Sequence, residues 1–166
     1  MFRTPMTLDR MHRILTVLVG VICVFAIVTT LSVRRNVGID TFAFVVVVLG
    51  LAWAMSPREL VIDEREVRIV RRAWWPLRVP MDVVSAAAPL DRFGGGAIRL
   101  FGVGGFFGSY GFFTSSGLGR FRLYSTRRGQ ALILRRSDDA MPIVLTPDDV
   151  AGAVAAIDKR RTVDRL

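Results

Sequence analysis

The chain holds one cysteine, Cys23, one histidine, His12, and one lysine, Lys159. A single cysteine cannot close an intrachain disulfide, so nothing here points to an oxidising compartment. Cys23 lies within an apolar run and reads as a small apolar side chain rather than a redox or lipidation site. One histidine and one distant cysteine make neither a zinc site nor a Cys–His nucleophile pair. His12 reads as a residue facing solvent or lipid headgroups beside a membrane helix, not as a pH sensor. With Lys159 alone there is no G-x-x-x-x-G-K-[ST] phosphate loop. Gly102-Val103-Gly104-Gly105-Phe106-Phe107 places Phe where a dinucleotide fingerprint requires its third glycine, and no helical pattern follows. The carboxylate pairs Asp138-Asp139 and Asp148-Asp149 have local explanations, a turn and a helix start, and do not suggest groups converging in a pocket. The sequence therefore offers no catalytic residue, no cofactor and no metal site.

What the chain has in quantity is apolar sequence and arginine. It is 52% hydrophobic with a mean hydropathy of +0.43, and its net charge is +9. Ile14 to Val33 carries no charged residue, and Ile39 to Met55 carries only Asp40 near its edge. About 20 apolar residues in a helix cross the roughly 30 Å hydrocarbon core of a bilayer. Two such runs predict a helical hairpin, with helices over about 14–33 and 39–56, in an N-terminal unit of residues 1–57. The first run exceeds the apolar stretch of a signal peptide and ends at Thr30-Leu31-Ser32-Val33 without a small-x-small cleavage site, which argues for a retained anchor. Arg3, Arg10 and Arg13 precede the helices, Arg34 and Arg35 lie between them, and Arg58, Arg65, Arg68, Arg71 and Arg72 follow. More basic residues flank the two ends than the loop, which predicts a two-pass plasma-membrane protein with both termini cytoplasmic.

Residues 58–166 read as one β domain. Glu59–Asp63, Glu66–Arg72 and Leu77–Met81 alternate apolar and polar residues, as half-buried strands do. Trp74-Trp75 falls at the tip of a hairpin. Asp82–Leu90 is ambiguous between strand and loop. Ala97–Phe101 reads as a strand, and Phe106–Ser116, rich in glycine and aromatics, as an irregular connection. Arg120–Ser125, Ala131–Leu134 and Met141–Leu145 are further strands. A helix over about 147–160 follows, with Thr146 as N-cap, Pro147 at its first position and an inward stripe of Val150, Ala153, Val154 and Ile157.

The order of hairpin, strands, "IRLFGVGGFFGSYGFF", "LGRFRLYSTRR", "ALILRR" and "PIVLTPDD" opening a final helix resembles the bacterial pleckstrin-homology-like domains of small membrane proteins with two N-terminal transmembrane helices. The resemblance covers roughly residues 58–158. It implies a strongly bent antiparallel sheet, or partly open barrel, of about seven strands capped by the C-terminal helix, and it brings no reaction. The expected function is a membrane-anchored, non-enzymatic interaction module at the inner face of the bacterial plasma membrane. The alternative is anionic-phospholipid headgroup sensing by its arginine-rich face. Candidate contact residues for a protein partner or for lipid are Trp74, Trp75, Arg71, Arg72, Arg127 and Arg128. The bilayer and a membrane or cytoplasmic protein are the expected partners, with a homo-oligomer open; the tether argues against nucleic acid.

Overall fold

The computed structural model describes residues 1–33, 35–93 and 96–163. The N-terminal tail, given no structure in the sequence reading, opens with strand β1 (Phe2–Pro5). It pairs antiparallel with β2 (Pro57–Ile62), Phe2 opposite Ile62 and Pro5 opposite Glu59. Between these paired strands run α1 (Arg10–Val33) and α2 (Arg35–Met55), which pack on each other. Of the loop expected over 34–38, residues 35–38 are helix. Arg34 lies outside the described residues, and α2 already begins at Arg35, four residues before the apolar run. At 21 residues α2 is about 31 Å long. Only α1 meets the length and apolarity of a membrane span among the described residues, over Arg10–Thr30; the apolar part of α2, Asp40–Met55, is shorter. Pro57 stops α2 as expected, for it cannot continue the backbone hydrogen-bond pattern.

β3 (Glu66–Arg71) and β4 (Leu77–Pro80) complete a four-stranded sheet ordered β1-β2-β3-β4. The second sheet holds β5 (Val84–Phe93), β6 (Ile98–Gly104), β7 (Ser109–Ser115), β8 (Gly119–Ser125), β9 (Gly129–Arg136) and β10 (Ile143–Leu145). Its order is β5-β9-β10-β8-β7-β6, and the β10–β8 pair is parallel. The expected single sheet of about seven strands is thus two sheets and ten strands among the described residues. One added strand is β1. Another is β7, in the stretch expected to be irregular. Gly111 interrupts the apolar–polar alternation by which a strand is recognised, yet the backbone pairs on both sides.

One core joins the two sheets and the last helix. Leu60, Ile62, Val67 and Ile69 from the first sheet meet Leu132, Leu134, Ile143 and Leu145 from the second. α3 (Val150–Val163) lays Val150, Ala153 and Ile157 on this core, the stripe foreseen from spacing. The opposite face of the second sheet buries Phe113, Phe121, Leu123, Ile133 and Val144 in a smaller cluster. A sheet apolar on both faces explains the unbroken Ala131-Leu132-Ile133-Leu134 run.

The start of α3 corrects the capping expectation. The helix begins at Val150, and Asp149 accepts the Gly152 N–H at 2.7 Å, the N-cap geometry. Thr146 instead is fully buried, its hydroxyl accepting the Thr126 N–H at 2.9 Å. Pro147 therefore lies in the β10–α3 connection, not in the helix.

Candidate membrane-facing site

The last carbonyls of a helix lack intrahelical donors and must find partners elsewhere. In α2 the β domain and Ser56, the residue just past the helix, supply them. Tyr110 donates its hydroxyl to the Ala52 carbonyl, Ser56 donates N–H and Oγ to Trp53, and the Ala73 N–H reaches Ala54 at 3.0 Å. Burial pushes the Tyr110 phenol well above its ordinary range against a smaller opposing effect of the Arg71 charge, so the hydroxyl remains a donor.

The start of α1 is held likewise. Asp9 caps it, accepting the His12 N–H at 2.8 Å and the His12 ring Nδ1 at 2.7 Å. The Asp9 N–H donates to Thr126, and the Arg128 N–H donates to the Asp9 carboxylate at 3.1 Å, which ties the cap to the β8–β9 turn. Burial raises the Asp9 pKa, but the hydrogen bonds from His12 and Arg128 and the His12 charge outweigh it, leaving the carboxyl below its ordinary value. His12 is not the solvated residue expected: it is 6% exposed, with Nε2 3.5 Å from Ser109 Oγ. The Asp9–His12–Ser109 line resembles a nucleophile relay in residue type. Its carboxylate is also the helix cap, however, so it reads as a fastening between α1 and β7.

The glycine–aromatic segment makes the third attachment. The β6–β7 turn meets α1 where the Phe107 N–H donates to Thr16 Oγ1 at 2.9 Å. Gly102 and Gly111 face each other across the β6–β7 pair at φ +129° and +133°. A Cβ on either would collide with the opposite backbone, so this close approach requires glycine. The aromatics and glycines that look irregular in sequence form the hairpin that docks the sheet on both helices.

Around these attachments lies exposed apolar surface. Val17, Leu18, Val21, Phe25 and Val28 of α1 are each more than half exposed, as is Phe44 of α2. β6, an edge strand, exposes Ile98, Leu100 and Phe101.

The six candidate contact residues fall into different settings. Trp74 and Trp75 sit in the β3–β4 turn beside the end of α2, their rings 5.2 Å apart edge to face, with Trp75 77% exposed. Arg71 donates to the Tyr124 hydroxyl at 3.0 Å and lies over that ring. Arg72 is half-buried, and its N–H bonds the Ser56 carbonyl. Arg127 faces inward, donating to the Asp148 carbonyl at 2.6 Å and pairing with the Asp148 carboxylate at 3.4 Å. Arg128 leaves its side chain exposed. The structure brings Arg71, Arg72 and the two tryptophans to the end of α2 and puts Arg127 and Arg128 at the start of α1. The six candidates leave out Tyr110, which fastens β7 to α2; its period-two spacing with Phe112 was the available signal.

No group of His, Cys, Asp and Glu suited to a metal occurs among the described residues. Two packed sheets with a C-terminal helix are consistent with the pleckstrin-homology-like class. The family model for the bacterial PH domain matches residues 58–161, and the chain belongs to that family. No curated protein and no solved structure matches it.

Proposed function

We propose that this bacterial PH domain is a non-catalytic interaction module held at the inner face of the plasma membrane by α1 and α2, with both termini cytoplasmic. The observation that carries this reading is the β1–β2 pairing: the segments before α1 and after α2 are neighbouring strands of one sheet. If the helices cross a bilayer, both segments lie on one side of it. The apolar, exposed surface of the helices supports the same reading, because a contiguous apolar surface of this extent calls for a lipid or protein cover. Trp74 and Trp75 beside the end of α2 suit the headgroup level, where tryptophan is enriched. The module displays its surface to a protein partner in or near the membrane.

An alkaline carbonate wash of membranes tests the anchor. The full-length chain should remain in the pellet; release into the wash would overturn the reading. In-cell crosslinking through Trp75 should trap a protein partner, and recovery of lipid adducts alone would favour headgroup contact instead.

A further inference from the structure

An open sheet edge offers a row of backbone N–H and C=O groups to any further strand, and proteins blunt such edges with proline, charge or cover. The two sheets end in four edge strands, β1, β4, β5 and β6. Pro5 closes β1 and Pro80 closes β4, while β5 holds Pro89 and has α3 packed against it. β6 holds no proline, and no strand pairs with its outer side among the described residues. Its bulge at Leu100 gives the edge two unlike faces. Arg99 pairs with Phe113 and Phe101 with Phe112, so Arg99 and Phe101 point to opposite sides of the sheet. On one side Phe101 and Val103 share an apolar trough with Leu51 and Met55 of α2. On the other, the Arg99 guanidinium lies where a side chain on Gly104 would begin, its Nη1 2.8 Å from that position.

The charge around this edge is of one sign. Between Asp91 and Asp138 the chain has eight arginines and no carboxylate, and this stretch supplies β6, β7, β8 and β9. Arg99, Arg120 and Arg122, on the strands nearest the edge, form no ion pair among the described residues, whereas Arg127 and Arg136 pair with Asp148 and Asp138. A strand laid beside β6 therefore meets apolar side chains on one face and an uncompensated cation on the other. Cross-strand neighbours of opposite charge stabilise such a pairing, and like charges oppose it.

We infer that β6 accepts an extended segment of a partner protein as an added strand, with residues that alternate apolar and acidic. Main-chain hydrogen bonds to β6 hold the segment, as in other cases of strand addition. Its apolar side chains enter the trough beside Phe101, and its carboxylates meet Arg99 on the opposite face. This inference rests on the reading of the domain as a protein-interaction module and names the surface and the chemistry of its partner. A second copy of this chain does not fit. Its own β6 repeats Arg99, and its β1 and β4 edges present Arg3 and Arg78, so pairing would set like charges together. An anionic lipid surface supplies the charge but no ladder of backbone partners.

Fluorescence anisotropy of the full-length protein in an uncharged detergent tests the assignment with a short labelled peptide that alternates valine and glutamate. It should bind about tenfold more tightly than a peptide of the same composition with its valines and glutamates in separate blocks. In hydrogen exchange the alternating peptide should protect amides within 98–104. Arg99→Glu should weaken its binding about tenfold and create a preference for a valine–lysine peptide, a gain that a misfolded variant could not show. Arg78→Glu, on the β4 edge, should leave binding unchanged. Equal affinity for the block peptide would reduce the edge to a general anion-attracting surface and overturn the inference. So would protection confined to other strands, or a peptide preference that survives Arg99→Glu. The module reading fails separately. A chain that withstands carbonate washing and crosslinks a protein through Trp75, yet ignores the alternating peptide, defeats the edge and leaves the module standing.

Discussion

Phe25 and Phe121 are the same side chain in opposite surroundings. Phe25, on α1, is 70% exposed, and Phe121, on β8, is fully buried between strands. The contrast holds for the regions around them. α1 and α2 are as apolar as the sheets, but their side chains face outward, whereas those of β8, β9 and β10 face other strands. Composition alone does not distinguish the two cases; what covers the surface does. In the β domain the cover is protein. For the helices, in the account proposed above, it is lipid.

The widest separation between the regions should come from truncating these two residues. Phe121→Ala should destabilise the fold by about 3–5 kcal/mol through the cavity it leaves. Phe25→Ala should leave unfolding of the β domain unchanged. Pulse proteolysis of the full-length protein in detergent reads both, and equal losses would erase the distinction.

The junction between the regions is the next point of attack. Gly111→Ala should cost about 1–3 kcal/mol from backbone strain alone and should loosen β6–β7 from both helices. Gly117→Ala, where a Cβ meets open space, should have little effect. Hydrogen exchange should show the difference at Phe107 and Tyr110, and unaltered protection in Gly111→Ala would refute the docking role of this hairpin. Asp149→Ala should cost about 1 kcal/mol by uncapping α3. Thr146→Ala should cost about 1–3 kcal/mol by leaving the buried Thr126 N–H without its acceptor. Frayed α3 amides in the Thr146 variant alone would restore the cap assignment read from the sequence.

The smallest effect is one of pH. The folded state holds the Asp9 carboxyl below its ordinary value of 3.8. Its contribution to stability is therefore present above that value and is lost as pH falls through the folded pKa. Asp9→Asn should flatten this part of the stability profile below about pH 4, and an identical acid limb in the variant would show that Asp9 does not contribute.

The legible part of the fold was the part with a period. Val67 and Ile69 against Arg68, the α3 stripe and the block at Pro57 all followed from spacing. β1 stayed hidden because four residues carry no period, and its partner β2 lies more than 50 positions away. β7 stayed hidden because Gly111 stands where an alternating side chain would. The helix cap was misplaced because Thr146-Pro147-Asp148-Asp149 offers three possible capping side chains, and tertiary bonds take two: Thr146 turns to Thr126, and Asp148 pairs with Arg127 and Thr7. The six candidate contact residues came from exposure expected on strands and turns. Trp75 and Arg128 are exposed, while the chain itself engages Arg127.

Cysteine labelling in spheroplasts tests the two-pass arrangement most directly. In a Cys23→Ser background, Ser32→Cys at the end of α1 should react with an impermeant maleimide from outside, and Thr7→Cys and Trp75→Cys should react only after permeabilisation. Labelling of Thr7→Cys and Trp75→Cys in sealed spheroplasts, or opposite accessibility of these two positions, would contradict the account.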